Sequence, residues 1–538
     1  MSPCSWLCRR LFEATVVFLV LTFAPGLPPQ MSFTAFSQTE PVDLVGVFKV
    51  NDKLNGVEKL FEGEIKGPEG FAVYDNVVYT ALKGGAVVRV VGEKLVPVAD
   101  LSHPCAGMWD EVHCGRILGM NFDKKGVLYV ADAQYGVYKV DVKSGKTSLL
   151  FSSAEPIEGK RATLVNSLVL TADGKTMYWT TSSTEANLED GLLSLLGDPS
   201  GRLFKFDMET KTHTLLMDKL HFANGVALSL KEDFIVISET VRGRLHRYWL
   251  KGPKAGQSEV FIDGLPGMPD NLRQTGHGSF FVPLVAARFK SMPVLSDVIA
   301  PYPLIRKFLA RLICILKAPL NLVNKYFPNV YTGTIAHLGG SFELLTPFAT
   351  KALIVVEVGE SGDVLSTLHS TDNRVTGISD IILVDQTYYF GSPFNNFLGR
   401  LKTRVPIRIK MSDIEAESTT KKPPSTKPPT TQAPTTQAPT TTRAPTTTRA
   451  PTTQPPTTQA PTTKPPTTKP PTTQPPTTRA PPTTQKATTT TQKVTTTTQK
   501  ATTTTQKATT TQKVTTTQKP TTTEAPTTKK PVNQHKEL

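Results

Sequence analysis

The middle of this chain predicts an all-β fold, a six-bladed β-propeller. Three observations carry that reading. Short runs alternate apolar and polar residues, as in GVLYVADAQYGVYKVD (126–141), KTMYWTTSS (175–183) and DFIVISETVRGRLHRYWL (233–250). Gly, Asp and Asn interrupt these runs at short intervals, which is the punctuation of strands joined by tight turns. A unit of turn, apolar strand, polar turn and aromatic-rich strand then recurs along the chain. The units align as PEGFAVYDNVVYT, RILGMNFDKKGVLYV, LVNSLVLTADGKTMYW, FANGVALSLKEDFIVI, MPDNLRQTGHGSFFV and GISDIILVDQTYYFG.

The position just before the first strand of each unit is Glu69, Leu118, Asn166, Asn224, Asp270 and Ser379, at spacings of 49, 48, 58, 46 and 109 residues. The last gap is one repeat plus an insertion over 288–336. Six sheets of this size arranged radially leave few exposed strand edges. The propeller is expected over residues 45–405.

The chain opens with MSPCSWLCRR and an apolar run over Leu11–Leu27, which carries Glu13 and is broken by Pro25, Pro28 and Pro29. Its length lies between a long signal-peptide core and a short membrane span. Arg9 and Arg10 on its N-terminal flank place that end in the cytoplasm and export the chain beyond Pro29. Residues 1–30 therefore read as a cytoplasmic stub and an uncleaved type II signal anchor. The alternative is a signal peptide cleaved near Ala35-Phe36-Ser37. With the anchor uncleaved, Cys4 and Cys8 lie on the cytoplasmic side, where palmitoylation suits them.

Five cysteines are few for an exported chain. Cys105 and Cys114, in HPCAGMWDEVHCGR, read as a small disulfide loop in an oxidising compartment, with free thiols as the alternative. No Asn-x-Ser/Thr sequon occurs, so glycosylation is expected to be O-linked.

Within the insertion, Ile305, Phe308, Leu309, Leu312 and Leu316 fit one face of a helix, with Arg306, Lys307 and Arg311 beside them. Three placements suit it: over the channel mouth, on a membrane surface, or packed as a lid on the propeller. Arg311 and Lys317 argue against a membrane span.

The last 127 residues, Ser412–Leu538, are almost entirely Thr, Pro, Ala, Gln and Lys in near-repeats such as APTTTR, PPTTK and KVTTTTQ. Such a segment buries too little apolar area to offset its chain entropy. Dense Thr with interspersed Pro is the composition of an O-glycosylated mucin-like stalk, and stretched toward polyproline II it would reach up to ~400 Å. Met411–Leu538 holds 17 Lys or Arg against 5 Asp or Glu, so +12 of the +15 net charge sits there and the remainder is +3. These cations are evenly spaced and have no aromatic residues among them, which excludes a nucleic-acid binding reading. The final His535-Lys536-Glu537-Leu538 resembles an endoplasmic-reticulum retrieval signal with Lys where an acid is usual. A cell-surface position is preferred, with secretion as the alternative, since a surface stalk has no purpose inside the reticulum.

Four of the six aligned residues are oxygen donors suited to a hard cation: Glu69, Asn166, Asn224 and Asp270. Two carboxylates and two amides around one axis match what Ca²⁺ takes. Each is also an ordinary turn residue, as Asn224-Gly225 and Pro269-Asp270 illustrate. Recurrence at one repeat position is what singles them out as metal ligands.

The stretches GPEGFAVYDNVVYT, CGRILGMNFD, FANGVALS and MPDNLR resemble the motifs of the strictosidine-synthase-like propellers, a family more distantly similar to paraoxonases and gluconolactonases. The resemblance covers roughly 45–405. It implies a calcium site on Glu69, Asn166, Asn224 and Asp270, with Asn271 nearby, and a disulfide between Cys105 and Cys114. The family's usual Asn-Asp step is Asn166-Ser167 here. The carboxylate on which strictosidine synthesis depends has no counterpart in VTGIS (375–379), and Asp380 is shifted in register. The resemblance thus implies no strictosidine synthase.

Together with the anchor and the tail, the resemblance implies a mucin-like surface glycoprotein acting in cell-surface recognition or innate immunity of blood cells. Its expected partners are lectins or other glycan-binding proteins on the tail, the membrane at the N-terminus and a small molecule in the channel. The alternative is a calcium-dependent arylesterase or lactonase. His103, His113 and His221 are its candidate bases, but their spacing forms no dyad, and no catalytic residue is assigned.

Overall fold

The computed structural model describes residues 3–348 and 351–403. The Thr-rich tail, its expected O-glycans and the terminal HKEL lie outside the described residues. Within them the chain is mostly β. Six antiparallel sheets of four or five strands succeed one another in sequence. The first four cover 71–100, 117–152, 165–220 and 223–262; the fifth covers 267–370 and the sixth 380–402.

The inner strands of successive sheets pack on one another, the fifth sheet doing so through Arg273–Gln274, and that of the first sheet, Phe71–Tyr74, meets that of the last, Asp380–Val384. This arrangement is propeller-like. A strand that the repeat did not reveal, Glu58–Leu60, pairs with Leu398–Lys402, Glu58 opposite Arg400. The last sheet is thereby completed by the chain's own N-terminal side. Leu54 and Val57, just before that strand, are fully buried with Phe390 and Phe397.

Clusters of apolar side chains fill the wedge between each pair of neighbouring sheets. Trp179 stacks on Phe204 at 4.4 Å within one, and Phe234, Phe280 and Val356 share another. Residues that alternate along the strands supply these faces, as the period-two pattern requires.

Close backbone approach governs the inner strands. A Cβ added to Gly119 would lie 2.5 Å from the Asn166 carbonyl oxygen of the next sheet, and one on Gly70 would overlap the Leu118 carbonyl. In both cases the residue after the aligned position must be small, so that the next sheet's aligned residue can sit beside it.

Six α-helices accompany the sheets among the described residues: α1 (Pro3–Phe23), α2 (Glu111–Cys114), α3 (Gly191–Leu196), α4 (Leu295–Ile299), α5 (Pro303–Tyr326) and α6 (Val330–Gly340). The insertion is longer than the repeat implied. It runs between two paired strands of the fifth sheet, Ser279–Ala287 and Leu353–Gly359, and ends in a 3-10 turn, Phe342–Phe348.

Helix α5 forms where expected, but the expected apolar face is split. Leu309 turns toward the protein with Ile313, and Phe308 meets Phe18 of α1 at 5.1 Å, whereas Ile305 and Leu316 are exposed. The buried side of α5 carries Arg306, Ala310, Arg311 and Lys317. The reason lies in what faces it. Arg306 donates to the carbonyls of Leu196 and Gly197 at the end of α3, at 2.7 and 3.1 Å. Arg311 donates to Leu21, Thr22 and Ala24 at the end of α1, at 2.9, 3.1 and 2.8 Å. Lys317 pairs with Asp190 at 2.5 Å. Helix C-termini present unpaired carbonyls and a partial negative charge, so cations are what this face needs.

No described helix is long and apolar enough to cross a membrane. The stretch between α1 and the sheets is pinned: Phe36 N–H donates to Ala300 O at 3.3 Å and Val42 N–H to Gly264 O at 2.8 Å.

Replacing Gly119 by Ala tests the close approach. The added methyl group forces the Asn166 backbone outward, and a loss of roughly 1–3 kcal/mol is expected, read as a lowered melting temperature. Ala at Gly339, where the nearest neighbours are Lys317 side-chain carbons at 3.4 and 3.9 Å and the backbone is not left-handed, should leave the melting temperature nearly unchanged.

Candidate metal and ligand site

Glu69, Asn166, Asn224 and Asp270 line one cavity of about 470 Å³, and Leu118 from the same repeat position lines it too. All five are buried. Ser379, the sixth aligned residue, is buried as well, with its hydroxyl 3.3 Å from the Glu69 carbonyl oxygen. The repeat therefore does bring its oxygen donors together, each at the head of an inner strand.

Three acceptor oxygens there have no hydrogen-bond partner: Asn166 Oδ1, Asn224 Oδ1 and Asp270 Oδ1. The Asn166 amide group is held from behind, donating to Ser182 Oγ at 2.9 Å, which leaves its oxygen free. Thr180 Oγ1 donates to the Asn224 backbone carbonyl at 2.7 Å and fixes that strand's end. Burial pushes the Glu69 carboxyl up to about 7, against the attraction of Arg116. Asp270 is raised well above the usual carboxylate range, first by burial and then by the charge of Glu69, against a hydrogen bond from Asn224.

Buried acceptors without donors cost about 1–3 kcal/mol each. Carboxylates, carboxamides and unpaired oxygens form a donor set that fits a hard cation such as Ca²⁺. Among the described residues no group of three His, Cys, Asp or Glu gathers to hold a metal; the set here is two acids and two amides.

The second half of this site carries no repeat signature. Arg116, almost fully buried, reaches Glu69 at 3.3 Å and Glu111 at 3.4 Å. Lys83 joins Glu111 at 3.2 Å to Glu343 at 2.8 Å, and His337 lies 3.6 Å from Glu343. The nearby His337 ring and the hydrogen-bonded Lys83 ammonium hold the Glu343 carboxyl down at about 2. This network ties the turn after α6 to the first sheet. Glu111 is placed by the loop that the Cys105–Cys114 disulfide closes; that bond is formed, and Cys4, Cys8 and Cys314 are free. The only sequence signal was the acid within the disulfide loop, and nothing marked Arg116 as its partner.

Over this polar floor the walls are apolar, with Leu188, Leu195, Phe222, Met268 and Phe342 among them. The candidate bases do not join the cavity. His103 stacks on Tyr135 at 3.8 Å, and His113 is exposed with Nδ1 2.5 Å from Asp110. His221 is buried against Phe36, both ring nitrogens without partners, and desolvation lowers it to about 4. Asp380 is bound to Arg273 and to the Phe71 N–H, so it serves the packing of the first and last sheets. Asn271, expected near the metal ligands, donates its N–H to Ser379 O at 3.0 Å.

In sequence the chain is similar to the strictosidine-synthase-like proteins. Residues 166–253 match the strictosidine synthase family model, and residues 46–90 match the strictosidine synthase-like N-terminal model. Adipocyte plasma membrane-associated protein Hemomucin of Drosophila melanogaster is 38% identical over 401 residues, covering 73% of this chain and 69% of that protein. Adipocyte plasma membrane-associated protein of Rattus norvegicus is 33% identical over 372 residues, covering 68% of this chain and 91% of that protein. The chain belongs to the adipocyte plasma membrane-associated protein family, with hemomucin among its relatives. Among solved structures, a gluconolactonase from Xanthomonas campestris aligns over 70% of this chain and 99% of its own, with TM-score 0.41 and 11% identity.

His221 makes a pH prediction. Its pKa in the fold, about 4, lies below its ordinary value of 6.5. The stability it allows is complete above pH 6.5 and is lost as pH falls toward 4, by roughly 3 kcal/mol at 1.36 kcal/mol per unit. Thermal melts of His221→Phe between pH 7 and 4 should show a shallower acid loss than the parent protein.

Proposed function

We propose that the six sheets are the blades of one β-propeller and that Glu69, Asn166, Asn224 and Asp270 hold a Ca²⁺ ion where their inner strands converge. The observation that carries this is the set of three partnerless oxygens, on Asn166, Asn224 and Asp270, from three successive sheets. In this reading the propeller is the membrane-proximal scaffold of a surface glycoprotein, anchored through the N-terminal helix. The Thr-rich tail extends from it, O-glycosylated and bound by lectins. The relatives' names, which include plasma membrane-associated protein, support a position at the membrane, and the reading adds recognition or innate immunity of blood cells as the role.

A second reading is favoured by the cavity itself. Apolar walls over an oxygen-lined floor suit an aryl ester or lactone whose carbonyl points down. Calcium, when bound, supplies Lewis-acid charge to such a carbonyl. The chain's own residues would do the remaining work: Phe222, Met268 and Phe342 exclude water and hold the apolar part, while Arg116 keeps Glu69 oriented.

Calcium should raise the melting temperature of the full chain, by the equivalent of about 2.7 kcal/mol at a hundredfold excess over Kd. Asp270→Asn should abolish most of that gain. Aryl-ester turnover that is lost both with chelator and in Asp270→Asn would establish the second reading; turnover indifferent to both would exclude it. If calcium leaves the melting temperature of the parent unchanged, the metal assignment fails.

The recognition reading has its own test. A lectin blot of the chain truncated after residue 411 should lose the signal of the full chain. Lectin binding retained by the truncated protein would show that the tail is not the recognised element.

A further inference from the structure

Helix α5 is amphipathic in the reverse sense for a soluble protein. Its cations Arg306, Arg311 and Lys317 point inward, and a stripe of Ile305, Phe308, Leu312, Leu316, Val323 and Tyr326 runs along the other side at helical spacing. Leu316 is 62% exposed, and the stripe leads to the tip of the α5–α6 hairpin, where Phe327 and Tyr331 are 74% and 78% exposed. Ile335 of α6 continues it. Helix α1, which contacts α5 through Phe18 and Phe308, adds exposed Leu11, Phe12, Val16 and Val20. Two segments almost 300 residues apart in the sequence thus present neighbouring apolar surfaces. Surfaces of this extent mark an interaction site.

We propose that the outward face of the α5–α6 hairpin lies in the headgroup and acyl boundary of a phospholipid bilayer, as a second membrane contact independent of anchoring by α1. Three features select a bilayer as the occupant. Residues 303–340 contain five Lys or Arg and no Asp or Glu. With Arg306, Arg311 and Lys317 committed inside, the exposed Lys325 at the tip remains to meet lipid phosphates. The exposed aromatic residues gather at one end of the hairpin, and Tyr326 and Tyr331 have the apolar body and polar tip that suit the membrane interface. The face is also continuous with that of α1, whose apolar residues point to all sides. Pinning of residues 31–42 and capping of α1 by Arg311 hold these helices to the sheets, so the contact fixes how the sheets stand on the membrane.

The test uses the full chain with Cys4, Cys8 and Cys314 changed to Ser and one cysteine placed at a time, each carrying an environment-sensitive fluorophore. Positions are Leu316→Cys and Tyr331→Cys on the face, Leu11→Cys on α1, and Leu230→Cys on a sheet as the reference. Each is exposed in the parent, so folding is preserved, and melting temperature verifies it. On phosphatidylcholine vesicles the Leu316 and Tyr331 probes should shift to the blue and lose emission to bromine-labelled acyl chains, while the Leu230 probe does neither.

Quenching at Leu11 with the Leu316 and Tyr331 probes still in water would overturn the proposal. So would a blue-shifted Leu316 probe without vesicles in a chain that sediments as a dimer, because a second copy would then cover the face.

Discussion

Two carboxyl groups and two carboxamides are buried where the inner strands of neighbouring sheets approach, and much of the structure is arranged to make that burial tolerable. Uncompensated, a buried carboxylate gives up its charge, and the upward displacement of both Glu69 and Asp270 shows the pressure to do so. The fold answers with Arg116, which reaches both Glu69 and Glu111, and with the Ser182 hydroxyl, which holds the Asn166 amide from behind. On three of the four repeat residues, Asn166, Asn224 and Asp270, the group left unpaired is an oxygen. Oxygens of this kind are what a hard cation takes.

The same electrostatic logic organises the helical insertion. Helix ends bring carbonyls with no internal partner, and α1 and α3 both end beneath α5. One helix supplies an arginine to each, and a lysine to Asp190 beside α3. Once those cations turn inward, Leu309 and Ile313 still pack against the protein, but Ile305 and Leu316 are left facing outward. Satisfying polar groups in the interior and leaving an apolar exterior are thus a single event in this part of the molecule.

Floor and cap are mechanically joined. Glu343, in the turn that closes the insertion, meets Lys83 of the first sheet, and Lys83 also meets Glu111 of the disulfide loop. Glu111 leads through Arg116 to Glu69. A displacement of the cap would therefore be felt at Glu69 through a short chain of ion pairs, of which only Glu343 is substantially open to solvent.

The sequence by itself determined the strands, their grouping and the register of the inner ring, because a fold built of repeats writes its geometry into spacing. Glu69, Asn166, Asn224 and Asp270 were legible for that reason: symmetry makes equal sequence positions equal places in space. The Cys105–Cys114 pair was legible because its two ends are close along the chain. Tertiary structure alone decided the rest. Arg116, Lys83 and Glu343 come from separate units and meet only across a cavity, so no periodicity announces them. Strand Glu58–Leu60 is assigned by pairing with the chain's far end, and helical spacing does not say which face of α5 turns inward. That choice is set by what lies beneath the helix: exposed carbonyls call for cations, and a pattern within one segment cannot reveal the needs of its neighbours.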